Sequence, residues 1–203
     1  MSKNKISKNW INKQNRDQYV RQSRAEGYRS RAIYKLKEID EKYKILKNGI
    51  KLIDLGAAPG SWSQYAAKKI KNGTILSIDL KEIIEIENIF KIKGDFTEPE
   101  CQNKIKKYFN DKVDVILSDM AVNTSGNKYL DSNSTGELCI SAIKFSRNML
   151  KSKGIFVSKI FMGSSFNDIM KEAKATFKEI RIYKPQASRK ESKENFIICK
   201  YIL

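Results

Sequence analysis

The chain has 203 residues, of which 40% are hydrophobic, and this suits one α/β domain with its own core. Lys and Arg total 40 against 23 Asp and Glu, so the formal net charge is +17, which favours a polyanionic partner. The lack of histidine excludes a histidine general base and a zinc site that needs imidazole, and three scattered cysteines argue against a disulfide framework or a metal site.

The N-terminal region carries over half of the excess charge. Residues 1–14 are polar and basic, and we expect a flexible tail with no secretory signal. Residues 15–48 have helical spacing, with Gly27 separating two basic helices. Residues 1–49 hold 14 Lys or Arg against 5 Asp or Glu. A lysine-rich genomic composition would explain the lysines better than the clustered arginines, so we expect nucleic acid to bind here.

From residue 50 onward, strand and helix patterns alternate. The alternation predicts a Rossmann-like α/β fold, with a seven-stranded, mostly parallel sheet flanked by helices, in one domain over residues 15–203. No apolar run approaches the roughly 18 residues of a membrane helix, so no membrane partner is expected. Strands are expected near 50–55, 74–79, 89–92, 113–118, 154–161, 179–184 and 195–202. Helices are expected near 61–71, 98–109, 134–151 and 165–177, with a polar loop over the site at 122–134.

Residues 52–64 form the most informative segment. An aliphatic run stops at Gly56, and a helix is expected from Trp62, which is the strand–loop–helix arrangement of a nucleotide-type cofactor site. A plain strand-to-helix turn is the alternative. The loop matches neither the phosphate-loop pattern nor G-x-G-x-x-G, which disfavours an NTPase and a dinucleotide enzyme. The candidate cofactor residues in this segment are Asp54, Gly56, Ala57, Pro59, Gly60, Ser61 and Trp62.

Four carboxylates are predicted at the carboxyl ends of neighbouring strands: Asp54, Asp79, Asp95 and Asp119. An acid at the position of Asp79 typically accepts from the hydroxyls of a ribose. Four carboxylates together suit a ligand that is cationic or rich in donors. S-adenosylmethionine fits, because it carries a sulfonium, an ammonium and a ribose, whereas NAD carries two phosphates and fits less well.

The chain also offers candidates for proton transfer. Lys159 lies inside an otherwise apolar strand, where a lysine is costly unless it is paired or reactive; an edge-strand lysine that reaches water is the alternative. Asp119 lies at a strand end beside a turn. Lys35 and Glu194, taken singly, would be interpreted as solvated side chains. Without histidine, lysine, tyrosine or a carboxylate must transfer any proton.

Together these motifs resemble the FtsJ-like RNA 2′-O-ribose methyltransferases, and within them the bacterial and mitochondrial large-subunit ribosomal RNA type. The resemblance extends from about residue 7 to residue 203. The segments that carry it are 29–36, 54–64, 94–96, 117–121, 157–161 and 184–194. It implies an S-adenosylmethionine-dependent methyltransferase fold. The family's catalytic set matches Lys35, Asp119, Lys159 and Glu194, and its cofactor residues match Gly60, Trp62, Asp79, Asp95 and Asp119.

The resemblance also implies a mechanism and a target. A ribose 2′-hydroxyl would attack the methyl group of S-adenosyl-L-methionine in line, and Lys159 would orient that hydroxyl and accept its proton. The expected target is a uridine of large-subunit ribosomal RNA. The chain departs from the family pattern at Val122 and Met162, which leaves the choice of target more open than the chemistry. The expected RNA-binding residues are Arg29, Arg31, Arg189 and Lys190.

The sequence leaves several alternatives open for the substrate and the role of the protein. The RNA could be transfer RNA, or the substrate could be a protein or a small molecule. The chain could also be a non-catalytic RNA-binding factor of ribosome assembly, which would tolerate loss of Lys159 and Asp119. We expect a cytoplasmic monomer, with an organellar location as the alternative.

Overall fold

The structure, a computed structural model, describes residues 15–121 and 128–203, without the side chains of residues 128–132. The predicted tail and residues 122–127 of the predicted loop, Val122 included, lie outside the described residues. The elements in chain order are α1 (Gln18–Ala25), α2 (Ile33–Tyr43), β1 (Lys51–Leu55), α3 (Ser61–Lys69), β2 (Thr74–Asp79), β3 (Phe90–Lys93), α4 (Pro99–Phe109), β4 (Val113–Ser118), α5 (Lys128–Met149), β5 (Leu150–Phe161), α6 (Phe166–Lys174), β6 (Phe177–Tyr183) and β7 (Glu194–Ile202).

The strands form one sheet in the order β3-β2-β1-β4-β5-β7-β6. All pairings are parallel except those of β7, which runs antiparallel to both β5 and β6. The Rossmann-like, seven-stranded, mostly parallel fold is therefore confirmed. Because β1, β2, β4 and β5 run in the same direction, their carboxyl ends lie along one edge of the sheet, where ligands bind in such folds.

Helices cover both faces of the sheet, and each face has its own apolar cluster. One cluster joins α4, α5 and α6 to the sheet, and the other joins α2 and α3 to it. Ile33, Leu36 and Ile39 of α2 have no exposed surface. These three are spaced three residues apart along the helix, so one face of α2 is buried in the core. The basic N-terminal region is thus packed on the domain and can position a side chain for chemistry.

Two residues explain where the N-terminal helices begin and where the chain turns between them. Asp17 caps α1 by accepting a hydrogen bond from the backbone N–H of Tyr19 at 3.0 Å. Gly27, at φ 73°, lies between α1 and α2, as expected of a residue that permits a left-handed turn. None of the helices in residues 15–121 and 128–203 is both long and apolar enough to cross a membrane.

The predicted boundaries around α5 and β5 were wrong. The helix begins at Lys128, six residues before the expected start, so polar residues 128–133 are helical rather than part of a loop. It ends at Met149, and β5 begins at once, four residues before the expected residue 154. Gly154 therefore lies inside a strand. The pairing with β4 shifts register here, which accommodates extra residues that the apolar pattern alone did not show.

Candidate active site

A cavity of about 490 Å³ opens at the carboxyl ends of β1, β2 and β4. Four of the predicted cofactor residues line it: Gly56, Asp79, Asp95 and Asp119. A smaller cavity of about 80 Å³ adjoins these residues, with Gly56, Ala58 and Asp119 common to both. The predicted residues Asp54, Ala57, Pro59, Ser61 and Trp62 line the smaller cavity. Every predicted cofactor residue except Gly60 therefore lies at a cavity wall.

The loop after β1 needs its glycine and its neighbouring carboxylate. Gly56 has φ +71°, and a Cβ there would lie 2.2 Å from Cγ of Met120. Asp79 holds the loop, because its Oδ2 accepts a hydrogen bond from the backbone N–H of Ala58 at 2.9 Å. Its Oδ1 accepts from the backbone N–H of Lys81 at 2.8 Å. Asp79 thus joins the cofactor loop to the segment that follows β2.

Asp54 lies beneath this loop and differs from the other carboxylates. It is 1% exposed, and its Oδ2 accepts a 2.5 Å hydrogen bond from Oγ of Ser63, whose hydroxyl also lies 2.7 Å from Oγ of Ser77. Burial raises the pKa of Asp54 to about 7, and the nearby carboxylates of Asp119 and Asp79 act in the same direction. The Ser63 hydrogen bond opposes that rise. The contacts of Asp54 therefore support the loop from below.

Two ion pairs bring the four predicted catalytic residues to the same edge of the sheet. Nζ of Lys159 lies 3.0 Å from Oδ1 of Asp119 and donates a hydrogen bond to the Asp119 carbonyl oxygen at 2.7 Å. Nζ of Lys35 donates to Oε2 of Glu194 at 2.8 Å. The pairing of β5 with β7 sets Lys159 opposite Phe196, two residues from Glu194. Ser188, which was not predicted, donates to Oε1 of Glu194 at 2.7 Å.

The environment of Lys159 excludes the edge-strand alternative. Strand β5 lies between β4 and β7, and Lys159 is 8% exposed. A lysine at the centre of a sheet needs a charged partner to offset its desolvation, and Asp119 supplies it. The ammonium is therefore held at one position by two oxygens of the same residue.

The two ion pairs also act on each other. Burial disfavours the charged form of Lys35, but the carboxylates of Asp119 and Glu194 outweigh it and raise the pKa of Lys35. Burial acts against ionisation of Asp119 as well, yet the ammonium groups of Lys159 and Lys35 hold the pKa of Asp119 below its usual value. Lys35 is therefore an ammonium and Asp119 a carboxylate near neutral pH.

The indole of Trp62 has a structural role in addition to the predicted cofactor contact. Its indole is 2% exposed, donates from Nε1 to the carbonyl oxygen of Ala32 at 2.8 Å, and lies 5.8 Å from the ring of Phe196, measured between centroids. The side chain thus joins α3 to the start of α2 and to β7. The cofactor contact expected of Trp62 stays a prediction.

The predicted RNA-binding residues fall into two groups. Arg31, Arg189 and Lys190 line a cavity of about 1100 Å³ between α1 and residues 184–191. Lys184, which was not among the predicted RNA-binding residues, is a further cation in this cleft. Arg31 donates to the carboxylate of Asp17 and to the carbonyl oxygen of Ala187, and Arg189 lies within 4.0 Å of the same carboxylate. Arg29 is directed elsewhere and donates to backbone carbonyls beside the cofactor loop.

The carboxylate oxygens that line the 490 Å³ cavity suit a cationic ligand rich in hydrogen-bond donors. Asp119 Oδ1 is buried and receives no hydrogen bond of good geometry within residues 15–121 and 128–203, although Lys159 lies at ion-pair distance. Asp95 uses its Oδ1 to hold the N–H and hydroxyl of Thr97 at 2.9 Å and 2.7 Å, so Oδ2 is the oxygen open to a ligand. These acceptors suit the ammonium and ribose of S-adenosyl-L-methionine.

The sheet order and the acidic cavity define a Rossmann-like methyltransferase. Residues 28–202 match the model of the FtsJ-like methyltransferase family, and the chain belongs to that family. A relative from Pelagibacter ubique, named Ribosomal RNA large subunit methyltransferase E, is 62% identical over 202 residues, covering 100% of both chains. A protein of the same name from Legionella pneumophila is 42% identical over 98% of both chains.

A solved structure agrees with this placement. The chain is similar to a candidate ribosomal RNA methyltransferase from Plasmodium falciparum, with a TM-score of 0.78 and 34% sequence identity. The similarity covers 87% of this chain and 99% of that one. Over that 87% of its length, the chain therefore has the fold of the Plasmodium falciparum protein.

Proposed function

We propose that the protein transfers the methyl group of S-adenosyl-L-methionine to a ribose 2′-oxygen of large-subunit ribosomal RNA, with a uridine as the target nucleotide. The observation that carries the proposal is the set of two largely buried ion pairs, Lys159–Asp119 and Lys35–Glu194, beside an acidic cavity in a member of the FtsJ-like family. The names of the relatives support ribosomal RNA of the large subunit as the substrate.

S-adenosyl-L-methionine, when bound, supplies an electrophilic methyl group. The residues that would hold it are the glycine loop around Gly56 and Gly60, and the carboxylates of Asp79, Asp95 and Asp119. Asp79 would accept from the ribose hydroxyls, and the buried Oδ1 of Asp119 would face positive charge. Asp54 would support the loop from below through Ser63.

Lys159 would orient the 2′-hydroxyl and, once its ammonium has released a proton to solvent, would accept the proton of that hydroxyl at Nζ. Asp119 fixes Nζ through its carboxylate and its carbonyl oxygen, so the nitrogen that receives the proton is held in place before RNA binds. Lys35, fixed by Glu194, adds a second positive charge next to the oxygen that loses its proton. Much of the acceleration would come from alignment of the two substrates, because orientation alone lowers such barriers substantially.

The cleft between α1 and residues 184–191 would hold the RNA backbone. Arg31 joins its two walls and lies four residues before Lys35, and Ser188 in the cleft donates to Glu194. A strand bound along the cleft would therefore reach the two ion pairs. Since all four catalytic candidates belong to one chain, a monomer suffices. Action on ribosomal RNA supports a cytoplasmic location.

The decisive experiment is transfer of labelled methyl from S-adenosyl-L-methionine to purified large and small ribosomal subunits, free ribosomal RNA and transfer RNA, followed by nucleoside analysis. We expect a 2′-O-methylated uridine from large-subunit material. Label in transfer RNA would support the same methyl transfer with transfer RNA, rather than ribosomal RNA, as the substrate. Absence of label in every RNA, with the cofactor bound, would favour a protein or small-molecule substrate or an assembly factor.

A further inference from the structure

The guanidinium of Arg29 makes contacts that RNA binding does not explain. Nη1 donates to the carbonyl oxygens of Pro59 at 2.9 Å and Ile84 at 3.0 Å, and Nη2 donates to that of Glu85 at 2.7 Å. A guanidinium presents five N–H donors in a rigid plane, so one side chain can satisfy carbonyls from two segments at once. Arg29 thus connects the cofactor loop after β1 to the segment after β2.

The backbone of Arg29 is fixed from the other side. Its N–H donates to Oε1 of Gln64 in α3 at 3.1 Å, and Nε2 of the same glutamine donates to the carbonyl oxygen of Gly27 at 3.2 Å. The residues between α1 and α2 are therefore attached to the helix that follows the cofactor loop. The side chain of Arg29 therefore extends from a backbone that Gln64 fixes in place.

Gly60 provides the room that this arrangement needs. A Cβ at Gly60 would lie 2.6 Å from Nη1 of Arg29 and 2.8 Å from Cδ1 of Ile86, so a side chain there would displace both groups. Its φ of +108° independently favours glycine. The glycine thus permits the cofactor loop and the guanidinium to pack directly against each other.

The segment after β2, residues 80–88, begins at the wall of the cofactor cavity and includes Ile84 and Glu85, which Arg29 contacts. It contains no helix or strand, and Leu80 and Lys81 line the cavity. Nζ of Lys91 holds it at one side, through the carbonyl oxygen of Ile83 at 3.1 Å and the carboxylate of Glu85 at 2.5 Å. Arg29 donates to the carbonyl oxygens of Ile84 and Glu85 in the same short stretch, so two side chains position this wall segment.

We propose that Arg29 is a positioning residue for the cofactor: it sets the separation between the cofactor loop and the wall segment, and connects both to the helices that would bind RNA. The identity of the cofactor rests on the proposed function. Three of the five guanidinium donors are directed at protein carbonyls, so the loss of Arg29 should weaken cofactor binding more than RNA binding.

The test compares Arg29→Ala and Arg29→Lys with Arg24→Ala, which removes an exposed arginine of α1 that has no side-chain partner in the described part of the chain. Binding of S-adenosyl-L-methionine is measured by calorimetry without RNA. We expect Arg29→Ala to raise the Kd about tenfold or more, since several hydrogen bonds are lost, and Arg24→Ala to change it less than about twofold. Arg29→Lys should be intermediate, because an ammonium cannot reach both segments equally well.

Two further measurements separate positioning from general destabilisation. Steady-state kinetics should show a raised KM for S-adenosyl-L-methionine with kcat preserved at saturating cofactor. Hydrogen exchange on the cofactor-free protein should show faster exchange at residues 80–88 in Arg29→Ala, and unchanged exchange in the sheet. If Arg29→Ala does not fold, Arg29→Lys carries the same comparison.

Unchanged cofactor affinity in Arg29→Ala, with weakened RNA binding, would overturn the proposal in favour of an RNA contact. Unchanged exchange at residues 80–88 would also overturn it. If the wild-type protein does not bind S-adenosyl-L-methionine at all, the proposed function fails, whereas the exchange experiment still decides whether Arg29 holds the wall segment.

Discussion

The proposed site has two sides that are built in different ways. The cofactor side is the loop after β1 with the carboxylates that line the cavity, and the catalytic side is the two ion pairs with the adjoining cleft. On the cofactor side, the loop between β1 and α3 contains Gly56 and Ala58, and Asp79 ends β2, the strand that pairs with β1. Asp79 reaches the loop through the backbone N–H of Ala58. On the catalytic side, Lys35 and Glu194 are 159 residues apart in the chain and meet through side chains alone. The first region depends on local sequence, and the second depends on how α2 packs against β7.

The largest effect is expected on the catalytic side, from Lys159→Ala. The variant removes the proposed proton acceptor, so we expect methyl transfer to fall about 10²–10⁴-fold or below detection. Cofactor Kd should stay within about threefold, since the side chain is bonded to Asp119 rather than to the cofactor loop. The measurement is single-turnover methyl transfer beside calorimetric cofactor binding.

Lys153→Ala is the matched control for Lys159→Ala, because Lys153 is an exposed lysine of the same strand. It should keep full activity. Unchanged turnover in Lys159→Ala would remove that residue from the mechanism and leave the proton acceptor unassigned.

On the cofactor side, Asp54→Asn should change the pH dependence of stability. Burial raises the pKa of Asp54 to about 7, above its unfolded value of about 3.9. The folded state therefore binds the proton more tightly, so the free energy of unfolding should fall as pH rises from about 4 to about 7. That loss is on the order of 2–4 kcal/mol at most.

Denaturant unfolding at pH 5, 6, 7 and 8 measures this effect. Asparagine can still accept the Ser63 hydrogen bond and carries no charge, so the variant should lose less stability with rising pH than the wild type. Parallel profiles for the two proteins would show that Asp54 does not titrate in this range.

Glu38→Ala should affect the catalytic side and leave the cofactor side unchanged. The Glu38 carboxylate accepts hydrogen bonds from the backbone N–H groups of Gln186 at 2.6 Å and Ala187 at 2.8 Å. These bonds attach residues 184–191, the cleft loop, to α2. Removal of two such bonds should cost about 1–3 kcal/mol of stability and weaken RNA binding. Glu41→Ala removes an exposed acid of the same helix and should cost little.

Thermal unfolding together with RNA and cofactor titrations would establish the Glu38 effect. A weakened cofactor Kd in Glu38→Ala would contradict the separation of the two sides, because the Glu38 carboxylate interacts with Gln186, Ala187 and Tyr183, none of which lines the cofactor cavity.

The smallest effect is expected from Lys190→Ala, an exposed cation of the cleft. If it neutralises one phosphate of single-stranded RNA, the slope of log K against log salt should become shallower by about 0.7. Lys178→Ala, an exposed lysine of β6 outside the cleft, should leave the slope unchanged. Equal slopes in both variants would place the RNA on another surface.

Local and periodic features of the chain were sufficient for most of the fold. The alternation of strands and helices predicted seven strands, because buried parallel strands read as short aliphatic runs that end in turn residues. The prediction failed around β5, where the strand begins directly after α5 and Gly154 lies within it. A change of register is set by the neighbouring strand and leaves no periodic signal in the sequence.

The sequence by itself determined the cofactor side, because the acids and glycines that form it follow the strands directly and parallel strands bring their carboxyl ends to one edge. Only the tertiary structure decided the partners of long side chains. It pairs Lys35 with Glu194, directs the indole of Trp62 to Ala32, and aims Arg29 at the cofactor loop. Such contacts join residues far apart in the chain, and their geometry depends on how helices pack on the sheet, which local sequence patterns do not encode.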